Sequence, residues 1–270
     1  MKIAPILTRL ACAALCAGSL AAADNQLTDA EKAAGWRLLF DGKSYAGWED
    51  PTKKSPPGES FTIADGCLKA TAHPRIDEDL FTSDTFADFE LQFDWKISPA
   101  GNSGVKYRIQ DRVFLADRRM PKFEDLVAYS MKNRNDTRRE RGQEYVIGFE
   151  YQITDNAKNS DASHNGPKHQ AGALYDTFAP SEDSTKPAGE FNHSRLVVRG
   201  DHIEHWLNGK KVVDASLKAP EVAAAAAHRW GEGAAVYDLL VKQPRRRCQI
   251  SLQNHGDEAW FKNIKIKPLP

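Results

Sequence analysis

The chain has 270 residues, 41% of them hydrophobic and 27% charged, with 37 Lys and Arg against 37 Asp and Glu. That balance provides no strong field for nucleic acid or an anionic membrane, and neither is expected as a partner. The length suits one all-β domain as well as two smaller ones.

The N-terminus reads as a secretory leader. Lys2 and Arg9 make a positive start, Leu10 to Leu20 is a short apolar run, and Ala21-Ala22-Ala23 offers a small-residue cleavage site. Residues 1–23 are therefore expected to be a signal peptide and the protein periplasmic or secreted. The run is too short to span a bilayer as a mature helix, and the residues before Cys12 and Cys16 fit a lipoprotein cleavage box poorly. Cys67 and Cys248 remain, in a compartment that permits disulfides, and they can pair only if their strands are neighbours.

Gly35 to Phe40 predicts a first strand closed by an Asp41-Gly42 turn, and Pro51 to Ser60 an exposed loop. Phe61 to Lys69 predicts a hairpin with Asp65-Gly66 at its tip. In Asp88 to Ser98, Phe89, Leu91, Phe93, Trp95 and Ile97 alternate with polar residues, the strand period of two. Val105 to Ile109 returns antiparallel to it, and a charged insertion, Asp117 to Arg141, follows as a solvated helix or loop. Gly148 to Asn156, GFEYQITDN, is again a strand, with Phe149, Tyr151 and Ile153 on one face and Glu150, Gln152 and Thr154 on the other. After a polar loop, Asn156 to His169, strands are predicted at Gly172–Asp176, Leu196–Gly200 and His202–Leu207, with Asn208-Gly209 as a hairpin turn. Pro220 to Arg229, with five successive alanines, is the one convincing helix, and Cys248–His255 and Trp260–Lys267 close the chain as strands. Ten or more short strands without an internal repeat predict a single β-sandwich of jelly-roll type over residues 24–270.

Three strands share a habit beyond core alternation. Glu150 and Gln152, Lys106 and Arg108, and Ser251, Gln253 and His255 each occupy the polar face of a strand, where a concave sheet could gather them. Asp155, five positions after Glu150, joins that face only if a bulge slips the register by one.

Read together, FDGK with Gly47-Trp48, NSGV (Asn102–Val105), GFEYQITDN, GALYD (Gly172–Asp176), GEFN (Gly189–Asn192), HIEHWLNG (His202–Gly209), and SLQNHG with FKNIKIKPL (Ser251–Leu269) resemble the 3-keto-disaccharide hydrolase domain family. The resemblance runs in order from about Trp36 to Leu269. It implies a concanavalin A-like jelly roll of two antiparallel sheets, akin to that of family-sixteen glycosidases. Their catalytic strand reads E-x-D-x-x-E; here Glu150-x-Gln152-x-x-Asp155 replaces the middle carboxylate with an amide and shortens the last. That departure weighs against double displacement, which needs two carboxyl groups about 5 to 5.5 Å apart. The resemblance implies instead a 3-keto-glycoside substrate, whose acidic carbon-2 proton is removed before the leaving group departs and water adds. Glu150 is then the expected base, His255 the acid or the base with roles exchanged, and Lys106 the group that polarises the ketone. Asn102, Arg108, Gln152, Asp155, Tyr175, Asn192, His205 and Gln253 are expected to bind the sugar, and the loop carrying His164 and His169 to close over it.

No H-x-x-x-H helix or C-x-x-C argues for zinc, so no metal ligand set is assigned, although a divalent metal on Glu150 and His255 is an option. No G-x-G-x-x-G opens a helix, so NAD is not expected, and the ketone would come from a separate sugar 3-dehydrogenase. An ordinary glycoside hydrolase and a non-catalytic lectin-like module are the rival readings. Trp206 and Trp260 could serve the latter as exposed platforms, whereas Trp95 lies on the apolar side of its strand.

Overall fold

The computed structural model describes residues 23–49, 59–73, 78–115 and 143–270. The leader up to residue 22, most of the Pro51–Ser60 loop and the charged insertion Asp117–Arg141 lie outside the described residues. Thirteen strands follow in chain order: β1 (Arg37–Leu38), β2 (Trp48–Glu49), β3 (Phe61–Ala64), β4 (Cys67–Ala70), β5 (Leu80–Thr82), β6 (Phe89–Ile97), β7 (Asn102–Leu115), β8 (Gln143–Thr154), β9 (Asn192–Arg199), β10 (His202–Leu207), β11 (Lys210–Ser216), β12 (Ser251–Leu252) and β13 (Ala259–Pro268). One sheet runs β11-β10-β9-β6-β13-β4-β3, with β1 added on β13; the other runs β2-β5-β12-β7-β8. Every pairing is antiparallel, as expected for the predicted jelly roll.

Alternation explains which faces meet. From one sheet Phe93 and Trp95, and from the other Phe149, Tyr151 and Leu252, turn inward, each at most 7% exposed. Burying each of these large side chains contributes roughly 1.5–3 kcal/mol. The core also holds a chain of paired polar groups. Trp95 Nε1 donates to Ser194 Oγ at 2.8 Å, Ser194 donates to Tyr151 Oη at 2.9 Å, and Tyr151 donates to the Trp206 carbonyl at 3.0 Å. The two predicted hairpin turns need a left-handed backbone, and Asp65-Gly66 (φ 51° and 70°) and Asn208-Gly209 (φ 48° and 82°) provide it.

The structure departs from the predicted strands at several points: Gly172–Asp176 joins no ladder, and Leu174 there makes only isolated bridges to Tyr151 and Phe178. Only Ser251–Leu252 of Cys248–His255 joins a ladder, while Cys248 makes an isolated bridge to Phe86. Cys67 and Cys248 are both buried and free. The bulge on which Asp155's place beside Glu150 depended is not on β8; the register shift lies on β7, passing from Tyr107↔Phe149 to Asp111↔Ile147 and leaving Arg108–Gln110 opposite Gly148. Arg108 adopts φ 51° there. Gly148 admits the bulge, because a Cβ at that position would stand 3.0 Å from the Tyr107 carbonyl oxygen.

Candidate active site

The site is built on the face of the smaller sheet that turns away from the core. Cross-strand pairing puts Phe81, Ser251, Lys106 and Glu150 in one row across four strands, since Ser251 pairs with both Phe81 and Lys106, and Lys106 pairs with Glu150. Their chain neighbours Leu80, Leu252, Val105 and Tyr151 form the matching inward row. Asp79, just before β5, reaches under this polar row: its Oδ2 accepts from Lys106 Nζ at 3.2 Å and from Ser251 Oγ at 2.9 Å. Gln253 is anchored by its backbone N–H to the Gly104 carbonyl at 2.8 Å. With its amide turned to satisfy both ends, it donates to Glu150 Oε1 at 3.2 Å and accepts from Lys106 Nζ at 3.2 Å. Gln152, buried beside them, reaches Asn102 Oδ1 at 3.4 Å in one amide orientation and Glu150 Oε1 at 3.3 Å in the other. Gly104 makes the space. A Cβ there would fall 2.2 Å from Glu150 Oε1.

Two carboxylates thus share one buried ammonium, and the charges do not cancel. Burial pushes the Glu150 carboxyl up to about 7; Lys106 opposes the shift and Asp79 adds to it. Burial likewise pushes Asp79 up, against the pull of Lys106. Burial acts to lower Lys106, but Asp79 and Glu150 outweigh it, and the ammonium is held above its ordinary value. The outcome is a fixed cation beside a carboxyl that exchanges its proton near neutrality.

Glu150 is only partly covered and opens into a cleft lined also by Tyr145, Tyr175, Arg229 and Trp230. The Tyr175 hydroxyl donates to Asp161 Oδ2 at 3.0 Å, and burial raises it above the ordinary phenol range. His169 packs edge-on against the Tyr175 ring at 4.6 Å, with Asp161 Oδ1 3.1 Å from its Nδ1 and Asp176 Oδ1 3.5 Å from its Nε2.

Of the residues singled out from sequence, Glu150, Lys106, Gln152 and Gln253 meet in this cluster. Asn102 joins through Gln152, and Tyr175 shares the cleft with Glu150. His255, half-buried just past β12, lies near enough to Asp79 for its charge to act on that carboxyl. Others are elsewhere. The β7 bulge turns Arg108 away from Lys106, and its guanidinium bonds Asp88 Oδ1 at 3.1 Å, the Gly200 carbonyl at 2.7 Å and the Arg246 carbonyl. β8 has no slip between Glu150 and Asp155, so Asp155 stays off the face and its carboxylate accepts from the Ala100 and Ala157 N–H groups at 2.8 and 3.1 Å. Asn192 lies on the larger sheet, where its Oδ1 accepts from Lys186 N and Asn208 Nδ2, both at 2.8 Å. His205 is wholly buried between the sheets, against Tyr107 Oη and the Gly172 carbonyl at 3.0 Å each, and burial lowers it to about 4. His164 is exposed at the end of the helix Ser160–His164.

Asp79, Gly104, Ser251, Tyr145 and Arg229 carry no assigned role in the sequence reading. Ser251 was visible as the polar alternate of Leu252, whereas Asp79 and Arg229 stand outside any alternating run. Among the described residues, the group with three metal-type ligands close together is His202, Glu204 and Asp214, partly or fully exposed on β10 and β11 and already paired with Lys211 and Arg195. It is remote in sequence and sheet from Glu150.

A jelly-roll sandwich with a carboxyl poised near neutrality beside a buried cation, at the mouth of a cleft, has the build of a carbohydrate-active enzyme rather than of a plain scaffold. A family model, the 3-keto-alpha-glucoside-1,2-lyase-like domain, matches residues 35–267, and the chain belongs to that family. A curated relative from Bacteroides thetaiotaomicron, named 3-keto-disaccharide hydrolase, is 29% identical over 247 residues, spanning 87% of this chain and 79% of the relative. Two crystal structures assigned to the glycosyl hydrolases, from Parabacteroides distasonis ATCC 8503, superpose well. One has TM-score 0.66 and 26% identity, covering 92% of this chain and 100% of its own. The second, at TM-score 0.58 and 24% identity, covers 87% and 99% and shows likeness of fold. The family and relative confirm the resemblance read from the seven motifs, and the chain is a carbohydrate-active hydrolase.

Proposed function

We propose that this chain is a secreted enzyme that cleaves 3-keto-glycosides by carbon-2 proton abstraction, elimination and hydration. The observation that carries this reading is the state of Glu150, a carboxyl raised to about 7 beside the Lys106 ammonium and facing an open cleft. A general base works best when its pKa lies near the working pH. Gln152 and Gln253 flank Glu150 with amides, and Asp79, bonded to Lys106, is 2% exposed, so the face presents one accessible carboxyl rather than the pair that double displacement needs.

In this reading Glu150 takes the carbon-2 proton, and the electrons form an enolate with its charge on the carbon-3 oxygen. The enolate collapses, the carbon-1 to oxygen bond breaks, and the leaving oxygen takes a proton from His255. Water then adds hydroxyl at carbon 1 and hydrogen at carbon 2, leaving a free 3-keto sugar and an alcohol. Tyr175, in the cleft wall, holds a sugar hydroxyl, while Gln152 and Gln253, 1% and 7% exposed, position Glu150 and Lys106, with Asn102 against Gln152. The sequence is redox-neutral, so nicotinamide is not consumed and the ketone is supplied by an upstream sugar 3-dehydrogenase. The name of the B. thetaiotaomicron relative, 3-keto-disaccharide hydrolase, supports the substrate class, and the leader-like N-terminus supports secretion.

The test is incubation with a 3-keto-glucoside and the matched plain glucoside, each deuterated at carbon 2, with and without chelator. Cleavage of the ketone alone, slowed by deuterium or with deuterium lost to water, is expected. Normal turnover of the plain glucoside with deuterium retained would replace this reading with direct hydrolysis, and loss of activity in chelator would assign part of the polarisation to a bound metal.

A further inference from the structure

Lys106 is committed to Asp79 and Gln253, which leaves open what receives the charge on the carbon-3 oxygen. The helix Pro220–Trp230 starts with proline at its first turn and seats Val222 and Ala226 in the core. Arg229 is seven residues after Val222 and three after Ala226, so it falls on that same face and comes over the edge of β8. Its guanidinium carbon stands 5.6 Å from the Tyr145 ring centre, 5.4 Å from Tyr175 and 5.7 Å from Trp230. Three rings thus confine the guanidinium without using its N–H groups.

Those donors are available. Among the described residues Arg229 has one acidic contact, Asp176 Oδ2 at 3.6 Å from Nη1, and its side chain remains 32% exposed. A guanidinium carries five N–H donors, and none of them makes a hydrogen bond among the described residues. The group lines the same cleft as Glu150. A cation with free donors, fixed by aromatic walls beside a candidate base, is suited to meet an oxyanion that forms when the base acts.

We propose that Arg229 is a catalytic residue that hydrogen-bonds the carbon-3 oxygen of the substrate and stabilises its enolate. The inference rests on the 3-keto-glycoside reading above. In the step concerned, the carbon-2 C–H bond breaks, its proton passes to Glu150, and its electron pair moves through carbon 3 to the ketone oxygen, whose charge Arg229 meets. No oxidant or reductant is required.

The experiment compares wild type with Arg229→Met and Arg229→Lys, measuring kcat, KM and loss of carbon-2 deuterium to water. Arg229→Met should lower kcat by about 10²- to 10³-fold, the effect of removing one oxyanion donor. Deuterium loss should slow in parallel, Arg229→Lys should fall between, and added guanidinium should restore part of the activity of Arg229→Met. Such rescue would not follow from a merely structural role. A kcat within threefold of wild type, or a loss that guanidinium does not restore in a variant with unchanged thermal unfolding, overturns the assignment. If Arg229→Met does not fold, Arg229→Lys decides alone: wild-type rates of turnover and deuterium loss overturn the proposal, and parallel decreases in both support it. Wild-type enzyme that cleaves without touching the carbon-2 deuterium overturns the underlying reading instead.

Discussion

Lys106 and Tyr107 are neighbours on β7, as are Glu150 and Tyr151 on β8, yet each pair contributes to two opposite polar clusters. Inside the sandwich, Tyr107, Tyr151, Ser194, Trp95 and His205 are buried, neutral and hydrogen-bonded to one another or to backbone. On the other face of the same strands, Asp79, Lys106 and Glu150 are close together with one cation between two carboxyls. The first cluster has every partner it needs, so it locks the sheets together and has nothing left to give a ligand. The second has a surplus negative charge that burial keeps protonated up to about pH 7, and that residual imbalance is what chemistry can use.

The largest effect expected from separating the two clusters is on Glu150. Glu150→Gln should lower kcat by roughly 10²- to 10⁴-fold with the fold retained, as for loss of a general base. The same variant should gain stability at alkaline pH. The folded Glu150 binds its proton more tightly than the unfolded chain, from an ordinary value of 4.5 up to about 7. Its burial therefore costs nothing below that range, and the cost grows as pH rises through it and persists above. The thermal midpoint of Glu150→Gln relative to wild type should climb between those pH values and then level off. A flat difference would mean that Glu150 is not strained by burial.

On the inner side, Phe93→Ala should cost about 3–5 kcal/mol in chemical denaturation, because Phe93 is 1% exposed and packs edge-on against Tyr151 at 5.7 Å. The pH dependence of activity should not change. Tyr107→Phe should cost less, about 1–3 kcal/mol, by leaving His205 Nε2 without its partner at 3.0 Å. A changed pH profile in Tyr107→Phe would mean that the two clusters communicate through the backbone of β7 and that the division drawn between them is too sharp.

Much of this arrangement was readable from sequence, because a strand period of two assigns each residue to a face. Phe93, Trp95, Phe149, Tyr151 and Leu252 were placed inward and Glu150, Lys106 and Gln253 together outward on that ground alone, and the structure places them so. The same rule failed at Arg108, where three residues face Gly148 and the face changes. Only a glycine in the partner strand hinted at it. Asn192 and His205 followed from motif resemblance, but both side chains serve hydrogen bonds within the fold. Asp79 and Arg229 reach the site from the start of a short strand and the end of a helix, through long-range packing that periodicity does not encode.

The smallest and most discriminating effect concerns Asp79. It holds the Lys106 ammonium at 3.2 Å, is 2% exposed and does not line the cleft. Asp79→Asn keeps the shape and a hydrogen bond from Ser251 but removes one negative charge. Lys106 then faces Glu150 as its sole carboxylate partner, and the negative charge that helped to raise Glu150 is gone. Both changes lower the Glu150 pKa. A base is active when deprotonated, so kcat/KM rises with pH through that pKa, and its midpoint should move below the wild-type value of about 7. A weaker base also abstracts protons more slowly, so the plateau should fall as the midpoint falls. If Asp79 merely supported the strand, the plateau would drop with the midpoint unmoved. A midpoint that stays fixed or rises would show that the charge on Asp79 does not set the proton affinity of Glu150.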